Sequence, residues 1–438
     1  MVRVLLVGNG AREHAIAEAL VNGGAELRAF MNKKNPGIAS LAKDDFRVDD
    51  LENFEHASAF GKDCDFAVIG PEAPLVVGIA NAFEAAGIPC VGPAIDAAQL
   101  EGSKIFTRSL LQKYNNPMNI EFATFTSMDD IPAYVDELGM ENVVVKPDGL
   151  TGGKGVKVFG EHLHSMEDID AYCQEIFSKG GRVVIEEKLD GEEFTLQTFV
   201  DGKTILATPL VQDHKRAFEG DEGPNTGGMG SYSMENHLMP FVSKDDVDVA
   251  LANMQAAIDA LKAETGTTYK GFLYGQFMKT KKGVKLVEFN VRFGDPEAIN
   301  VLPIMTTSFV DICQGIINGT LCDLTAEFKN VATVVKYLVP AGYPDEPAAN
   351  EPVIVDGKGM KKAGAKFYYA SVNQKDDGSV LTSSSRTIGV LGIGPTIEKA
   401  EIIAEKGTAM VSGNLYHRAD IGTKKLLQKR IDHMKKLK

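Results

Sequence analysis

The segment VVVKPDGLTGGKGVKV, Val143 to Val158, places lysines among glycines in a setting suited to holding an anion. Lys146 ends a β-branched run, and Lys154 lies inside the turn that follows. Gly149, Gly152, Gly153 and Gly155 would let backbone N–H groups approach a phosphate closely, where side chains would obstruct it. A Walker A loop would need glycine where Asp148 stands and Ser or Thr where Gly155 stands. After the turn, Val156–Phe159 continues as a strand pattern, whereas a P-loop opens a helix aimed at the phosphates. The segment reads as a hairpin lid over a nucleotide; an ordinary hairpin with a mobile basic turn would share its composition.

The oxygen chemistry lies further on. Gly271–Met278 and Lys285–Asn290 read as paired strands that bring Gln276 near Glu288 and Asn290. Side chains alternate along a strand, so Glu288 and Asn290 share a face and offer hard oxygen ligands for Mg²⁺ or Mn²⁺. Val291-Arg292-Phe293-Gly294-Asp295-Pro296-Glu297 then adds a guanidinium and two carboxylates within a few residues. Lys104 stands in or near the first turn of a helix running to about Tyr114, where it opposes the helix dipole; it faces either a phosphate or solvent. Glu186, Glu187 and Glu193 flank a crossing between strands, where they could bond adenine and ribose or form a solvated acidic turn. Asp213-His214-Lys215-Arg216 and the loop Gly223–Gly230 are too polar to pack a core, so that loop is expected to be disordered or organised by a ligand.

Alternating strands and helices must position these groups. Val2–Val7 reads as a buried strand, followed by Gly8-Asn9-Gly10 and a helix from Ala11 to about Leu20. Glu13 replaces the third glycine of a dinucleotide fingerprint, and it is expected to crowd helix against strand and to repel a pyrophosphate. Phe66–Ile69 reads as a second strand and Pro89–Val91 as a third; Asn9, Arg12, Glu13, His14 and Glu72 supply polar groups at strand ends. Helices are expected near 167–179 and 245–263, and strands over 182–187, from Glu193, over 331–340 and over 366–370. A last helix is expected over 396–413 after a Gly392–Pro395 turn. This gives an α/β and α+β multidomain chain. A parallel α/β domain would occupy 1–100, a central region with a small mobile lid at about 122–190 would occupy 101–325, and an α+β domain 326–438.

The chain has 438 residues, 44% hydrophobic and 24% charged, within the ordinary range for soluble globular proteins. No apolar run is long enough to span a bilayer, and a cytoplasmic protein without membrane contact is expected. Cys64, Cys90, Cys173, Cys313 and Cys322 are scattered and expected to be reduced. The net charge of −14 disfavours nucleic-acid binding, and the Lys424–Lys438 end reads as an amphipathic helix with a solvated basic face. Phosphorylated substrates would therefore meet positive charge only locally, at Lys104, Lys146, Lys154, Lys215, Arg216 and Arg292.

The motifs GNGAREHA, GPEAPLVVG, GPAIDAAQLEGSK, KPDGLTGGKGV, IEEKLDGEEFT, QDHKRAFEGDEGPNTGGMGSYS and EFNVRFGDPE, in this order, resemble the phosphoribosylamine–glycine ligases of the ATP-grasp superfamily. The resemblance implies an ATP-grasp body and ligation of glycine to 5-phosphoribosylamine by a monomer, through glycyl phosphate, within purine biosynthesis. It assigns ATP phosphates to Lys146, Lys154, Gly152 and Gly153, assisted by Lys104, and adenine and ribose to Glu186, Glu187, Leu189 and Glu193. It gives the metal to Glu288 and Asn290 with Gln276, and phosphoryl stabilisation to Arg292 with Lys215. Glycine's ammonium falls to Asp213 and Asp295, and the sugar phosphate side to Asn9, Gly10 and Glu72, with Asn225 and Gly228 also binding substrate. Ser383–Arg386, SSSR, departs from an Asn-Gly-Gly-Arg turn carried by many relatives. A sibling ligase or carboxylase would keep the lysines and metal pair but alter Glu72, Asp213–Arg216 and Asn225–Gly230; a nucleotide sensor would not need Arg292.

Overall fold

The computed structural model describes residues 1–152 and 155–437. At the N-terminus, five parallel strands lie in the order Phe46–Val48, Glu26–Met31, Arg3–Val7, Phe66–Ile69, Cys90–Val91. Phe66–Ile69 is thus the fourth strand in sequence. The two strands before it carry little sequence signal, because FRV in Phe46–Val48 is short and half exposed, while Glu26 and Arg28 interrupt the apolar run of Glu26–Met31. Strand order reverses between Arg3–Val7 and Phe66–Ile69, which opens a crevice at their carboxyl ends, the usual ligand position in such sheets. Glu13 occupies this rim without crowding it. Its Oε2 accepts from the Gly10 N–H at 2.6 Å, and a Cβ on Gly70 would fall 2.2 Å from its Oε1. The glycines make room for a carboxylate.

A small antiparallel sheet, ordered Phe122–Phe125, Val183–Glu187, Val143–Pro147, Lys157–Val158, carries the glycine hairpin. It packs Val143, Val145 and Ile185 with helices Ile131–Leu138 and Met166–Ser178 into a hydrophobic cluster of its own. The body sheet runs Ile205–Ala207, Gly191–Val200, Gly271–Thr280, Gly283–Asn290, and it belongs to the large core shared with the N-terminal domain. The chain crosses from the small sheet to the body within Lys188–Asp190.

Strands from both sides of residue 326 share the next sheet. Gln212–Asp213, Gly230–Ser233, Ala332–Pro340, Ile388–Gly394 and Lys366–Tyr369 lie side by side, with Leu415–Tyr416 on Ala332–Pro340. The Gly392–Pro395 turn of the sequence reading is therefore the end of a central strand. Its glycines serve packing, since a Cβ on Gly392 would stand 2.0 Å from the Ala400 carbonyl oxygen of helix Ile397–Thr408. The Gly223–Gly230 loop also departs from expectation. Arg216–Phe218 pairs with Glu222–Asn225, the Thr226 N–H bonds to the Lys215 carbonyl at 2.7 Å, and Met229 is fully buried, so the chain itself orders the loop. The C-terminal helix Lys424–Leu437 buries Leu426, Leu427 and Met434. Its basic face is not wholly solvated, because Arg430 bridges Glu192 at 2.8 Å and Asp221 at 3.0 Å.

Candidate active site

Strand Val143–Pro147 delivers Lys146 to a cleft where it meets Glu72, Lys104, Gly152, Glu186, Glu288, Asn290 and Arg292. Gly153 and Lys154 lie outside the described residues. Lys104 opens helix Lys104–Lys113, which Ser103 caps through the Phe106 N–H. Its ammonium donates to the Gly149 carbonyl at 2.7 Å, while Asp148 accepts from the Ser103 hydroxyl at 3.0 Å, so the glycine turn is fastened to the helix start. Burial, helped by neighbouring Lys146, lowers the Lys104 pKa.

Glu186 is not free to receive adenine through its carboxylate. Lys146 holds one oxygen at 2.6 Å, and Arg108 grips both, at 2.8 and 3.2 Å. Burial opposes this charge, but Arg108 and Lys146 overcome it and hold the pKa at about 2. The sequence reading missed Arg108, although it follows Lys104 by one helical turn and so shares its face. Glu187 and Leu189 sit at the crossing outside the cleft lining. Glu193, across the body sheet, takes Gln276 Nε2 at 2.6 Å and Lys215 at 3.3 Å.

Glu288 pairs in register with Gln276, and Asn290 with Tyr274. Burial works against ionisation of Glu288, yet Lys215, Lys146, Lys104 and Arg292 surround it and hold its pKa below the usual range. Gln276 does not join the two as a metal ligand. It is completely buried, its carbonyl accepting from Tyr274 and from Thr195 at 2.9 Å while its amide serves Glu193. Among the described residues no cluster of three or more His, Cys, Asp or Glu could hold an ion. Glu288 and Asn290 thus suit a hard cation that takes its remaining oxygens from phosphates.

Arg292 lies between carboxylates: Nε is 3.1 Å from Glu72, and Nη2 is 3.0 Å from both Glu101 and the Asn290 carbonyl. Burial opposes the Glu72 charge, and Arg292 with Arg12 overcomes it, taking the pKa to about 2. Glu101, absent from the sequence candidates, goes the other way: burial, with the Glu72 charge nearby, outweighs Arg292 and pushes it up to about 7. Burial also pushes Glu297 up to about 7, with Asp213 adding to the effect, and its carboxyl lies 2.9 Å from the Tyr274 hydroxyl. Burial lowers the Lys215 pKa, but Glu193, Asp213, Glu288 and Glu297 outweigh it and raise the ammonium above its ordinary value.

Asn9 and Gly10 form the rim of the N-terminal crevice, tied to the C-terminal region by Asn35, which donates to Asn9 O at 2.9 Å and Tyr369 O at 2.8 Å. His14 is structural: burial lowers its pKa to about 4, and its Nδ1 accepts from the Tyr369 N–H at 3.0 Å. Asp295 is not available to an ammonium, since Tyr337 donates to one carboxylate oxygen and Arg386 lies 3.3 Å from the other. Asn225 ends the hairpin strand Glu222–Asn225 and Gly228 lies in the bend that follows; neither lines the lysine cleft.

Comparison with known proteins decides the family. Models of the N domain, the ATP-grasp (A) domain and the C domain of phosphoribosylglycinamide synthetase match residues 2–101, 102–298 and 333–424. The chain belongs to the phosphoribosylamine–glycine ligase family. Phosphoribosylamine–glycine ligase of Methanocaldococcus jannaschii is 49% identical over 446 residues, covering 100% of both chains. That of Thermococcus gammatolerans is also 49% identical, over 99% of this chain and 98% of its own. The crystal structure of phosphoribosylamine–glycine ligase from Thermotoga maritima superposes with a TM-score of 0.81 at 28% identity, covering 96% of this chain and 100% of that one. The biotin carboxylase domain of Hydrogenobacter thermophilus 2-oxoglutarate carboxylase, seen with MgADP, shares the fold with a TM-score of 0.71 at 14% identity. As a member of the ligase family the protein is an ATP-dependent ligase with an ATP-grasp body. The departure at Ser383–Arg386 leaves its arginine in place. Among the described residues, no helix is long and apolar enough to cross a membrane.

Proposed function

We propose that this protein joins glycine to 5-phosphoribosylamine at the expense of ATP, in purine biosynthesis. The observation that carries the reading is the single cleft in which Lys104, Lys146 and Arg292 meet Glu288 and Asn290. Such an arrangement suits a reaction whose difficulty is bringing anions together. The carboxylate of glycine attacks the γ-phosphorus, the bond to ADP breaks, and glycyl phosphate forms. The sugar amine then adds to the glycyl carbonyl, phosphate leaves with the bonding pair, and the amine proton passes to solvent. Every step needs alignment and charge neutralisation; none needs a covalent nucleophile on the protein.

Lys146, aimed by Glu186, and Lys104, once released from the Gly149 carbonyl, meet the ATP phosphates; Lys154 belongs with them by sequence. Glu288 and Asn290 would hold Mg²⁺ or Mn²⁺, which when bound neutralises phosphate charge. Lys215 and Arg292 face the transferring group, Asp213 and Glu297 the ammonium of glycine, and Asn9, Gly10 and Glu72 the sugar phosphate. Glu187 and Leu189 at the crossing, with Glu193, take the adenosine. Residues of about 122–190 act as a lid, a role their separate core favours, because closure then repacks no shared interior. All these groups come from one chain, which suits a monomer, and the ATP requirement suits the cytoplasm.

Phosphate release from ATP decides the matter. The expected result is release that needs both glycine and 5-phosphoribosylamine. Release with bicarbonate in place of glycine would replace this reading with a carboxylase, and ATP binding without any turnover would leave a nucleotide sensor.

A further inference from the structure

Sequence reading finds no titratable cluster in the C-terminal region, yet the arginine of its Ser383–Arg386 turn reaches across to the Gly227–Gly228 bend and the Asp295 loop. Nη1 of Arg386 donates to three backbone carbonyls, at 2.7 Å for Gly227, 3.1 Å for Gly228 and 3.0 Å for Asp295. Nη2 lies 3.3 Å from the Asp295 carboxylate, and the guanidinium carbon sits 4.4 Å from the centre of the Tyr337 ring. The Tyr337 hydroxyl donates to the other carboxylate oxygen of Asp295 and closes the circuit. A planar guanidinium can serve several acceptors while stacking on a ring; an ammonium cannot reproduce that fork.

The joined parts come from separate stretches of chain. Gly227 and Gly228 follow Thr226, whose N–H and hydroxyl both bond to the Lys215 carbonyl, at 2.7 and 2.8 Å. Asp295 sits on the loop after Arg292, and its Oδ2 would stand 3.6 Å from a Cβ placed on Gly10. One side chain therefore sets the bend beside Lys215, the loop beside Arg292 and the rim of the N-terminal crevice against one another. Arg386 is not part of the lining that Lys104 and Lys146 share.

We propose that Arg386 is a positioning residue for the acceptor amine: it holds the Gly227–Gly228 bend and the Asp295 loop at the spacing the amine-bearing sugar phosphate requires. This rests on the ligase reading above.

The test uses full-length Arg386→Ala and Arg386→Lys. Transfer to 5-phosphoribosylamine is compared with a second reaction in which hydroxylamine replaces the sugar amine and glycyl hydroxamate is measured. A misplacement on the order of 1 Å costs about 100-fold in rate, so kcat/KM for the sugar amine is expected to fall by about that factor. Hydroxamate formation and the KM for ATP are expected to stay within about threefold, and lysine is expected not to rescue. If the alanine variant does not fold, the lysine variant, which keeps the charge and most of the volume, carries the test. An unchanged sugar-amine reaction, rescue by lysine, or equal loss in both reactions would overturn the proposal. Wild-type protein inactive with glycine and the sugar amine would instead overturn the ligase reading, which keeps the two failures apart.

Discussion

Replacing Glu186 by glutamine should loosen the small antiparallel sheet that carries it by an amount the structure allows to be worked out. The carboxylate is buried, with its partners Arg108 and Lys146 at 2.8 and 2.6 Å, and its pKa falls from 4.5 to about 2 on folding. A folded pKa below the unfolded one means that this charge stabilises the protein above pH 4.5 and that the stabilisation fades as pH drops towards 2. At neutral pH the shift corresponds to about 3 kcal/mol, and at pH 3.5 linkage leaves about 2 kcal/mol. Leaving two buried cations short of their counter-charge gives a cost of about 3–5 kcal/mol by an independent route. The two agree. The measurement is amide exchange in the strand Val183–Glu187, corrected for intrinsic rates, in wild type and Glu186→Gln at pH 7, 5 and 3.5; exchange is preferred because a multidomain chain has no single unfolding free energy. The difference should be the same at pH 7 and 5 and shrink at 3.5. A difference below about 1 kcal/mol at pH 7, or one that does not shrink, would refute the assignment of the triad as a support of this sheet.

Four other outcomes follow from the same contacts. Lys146→Met should lower kcat/KM for ATP by about 10- to 150-fold, the value of one charge-assisted hydrogen bond, and unchanged ATP kinetics would remove it from the phosphate site. Glu288→Gln should raise the metal concentration needed for half activity by about tenfold or more, whereas an unaltered metal titration would reject the site. Arg292→Ala should lose turnover by about two orders of magnitude or more with the KM for ATP little changed, and retained turnover would exclude it from the mechanism. Glu101, whose pKa rises from 4.5 to about 7 on folding, contributes stability below pH 4.5 that is lost as pH rises through 7; amide exchange in its helix, Ile95–Gly102, should therefore lack this decline in Glu101→Gln, and parallel pH profiles would count against it.

How much of this the sequence discloses depends on how local the physics is. Lys146 at a strand end, Lys104 at a helix start and the shared face of Glu288 and Asn290 follow from the periods of strand and helix, and the structure brings these groups to one cleft. Partners set by long-range packing are not legible that way. Gln276 is in register with Glu288, but only the fold shows that Thr195 and Tyr274 already occupy its carbonyl. Asp295 reads as a free carboxylate until a strand more than forty residues away supplies Tyr337 and the turn beyond it supplies Arg386. Ile388–Gly394 hides as a turn because its glycines answer to a helix packed above it, a demand that composition cannot distinguish from a bend.

The charges in and around the cleft also explain how an acidic protein can keep so many cations out of bulk water. Each has its own carboxylate: Lys146 has Glu186, Arg292 has Glu72 and Glu101, and Lys215 has Glu193. A buried cation without a partner tends to shed its proton; carboxylates oppose this at Lys215 and Arg292, which hold their protons more tightly than the free side chains do. Pairing also limits how strongly they can pull on a phosphate, because a fully neutralised cluster exerts little net field. Lys104 is the exception that matters. Its only hydrogen bond among the described residues is to the uncharged Gly149 carbonyl, at 2.7 Å, on the glycine turn itself. On the proposal that Lys104 meets the ATP phosphates, a phosphate oxygen would replace that carbonyl without leaving a carboxylate stranded, so this lysine is the one whose transfer costs least.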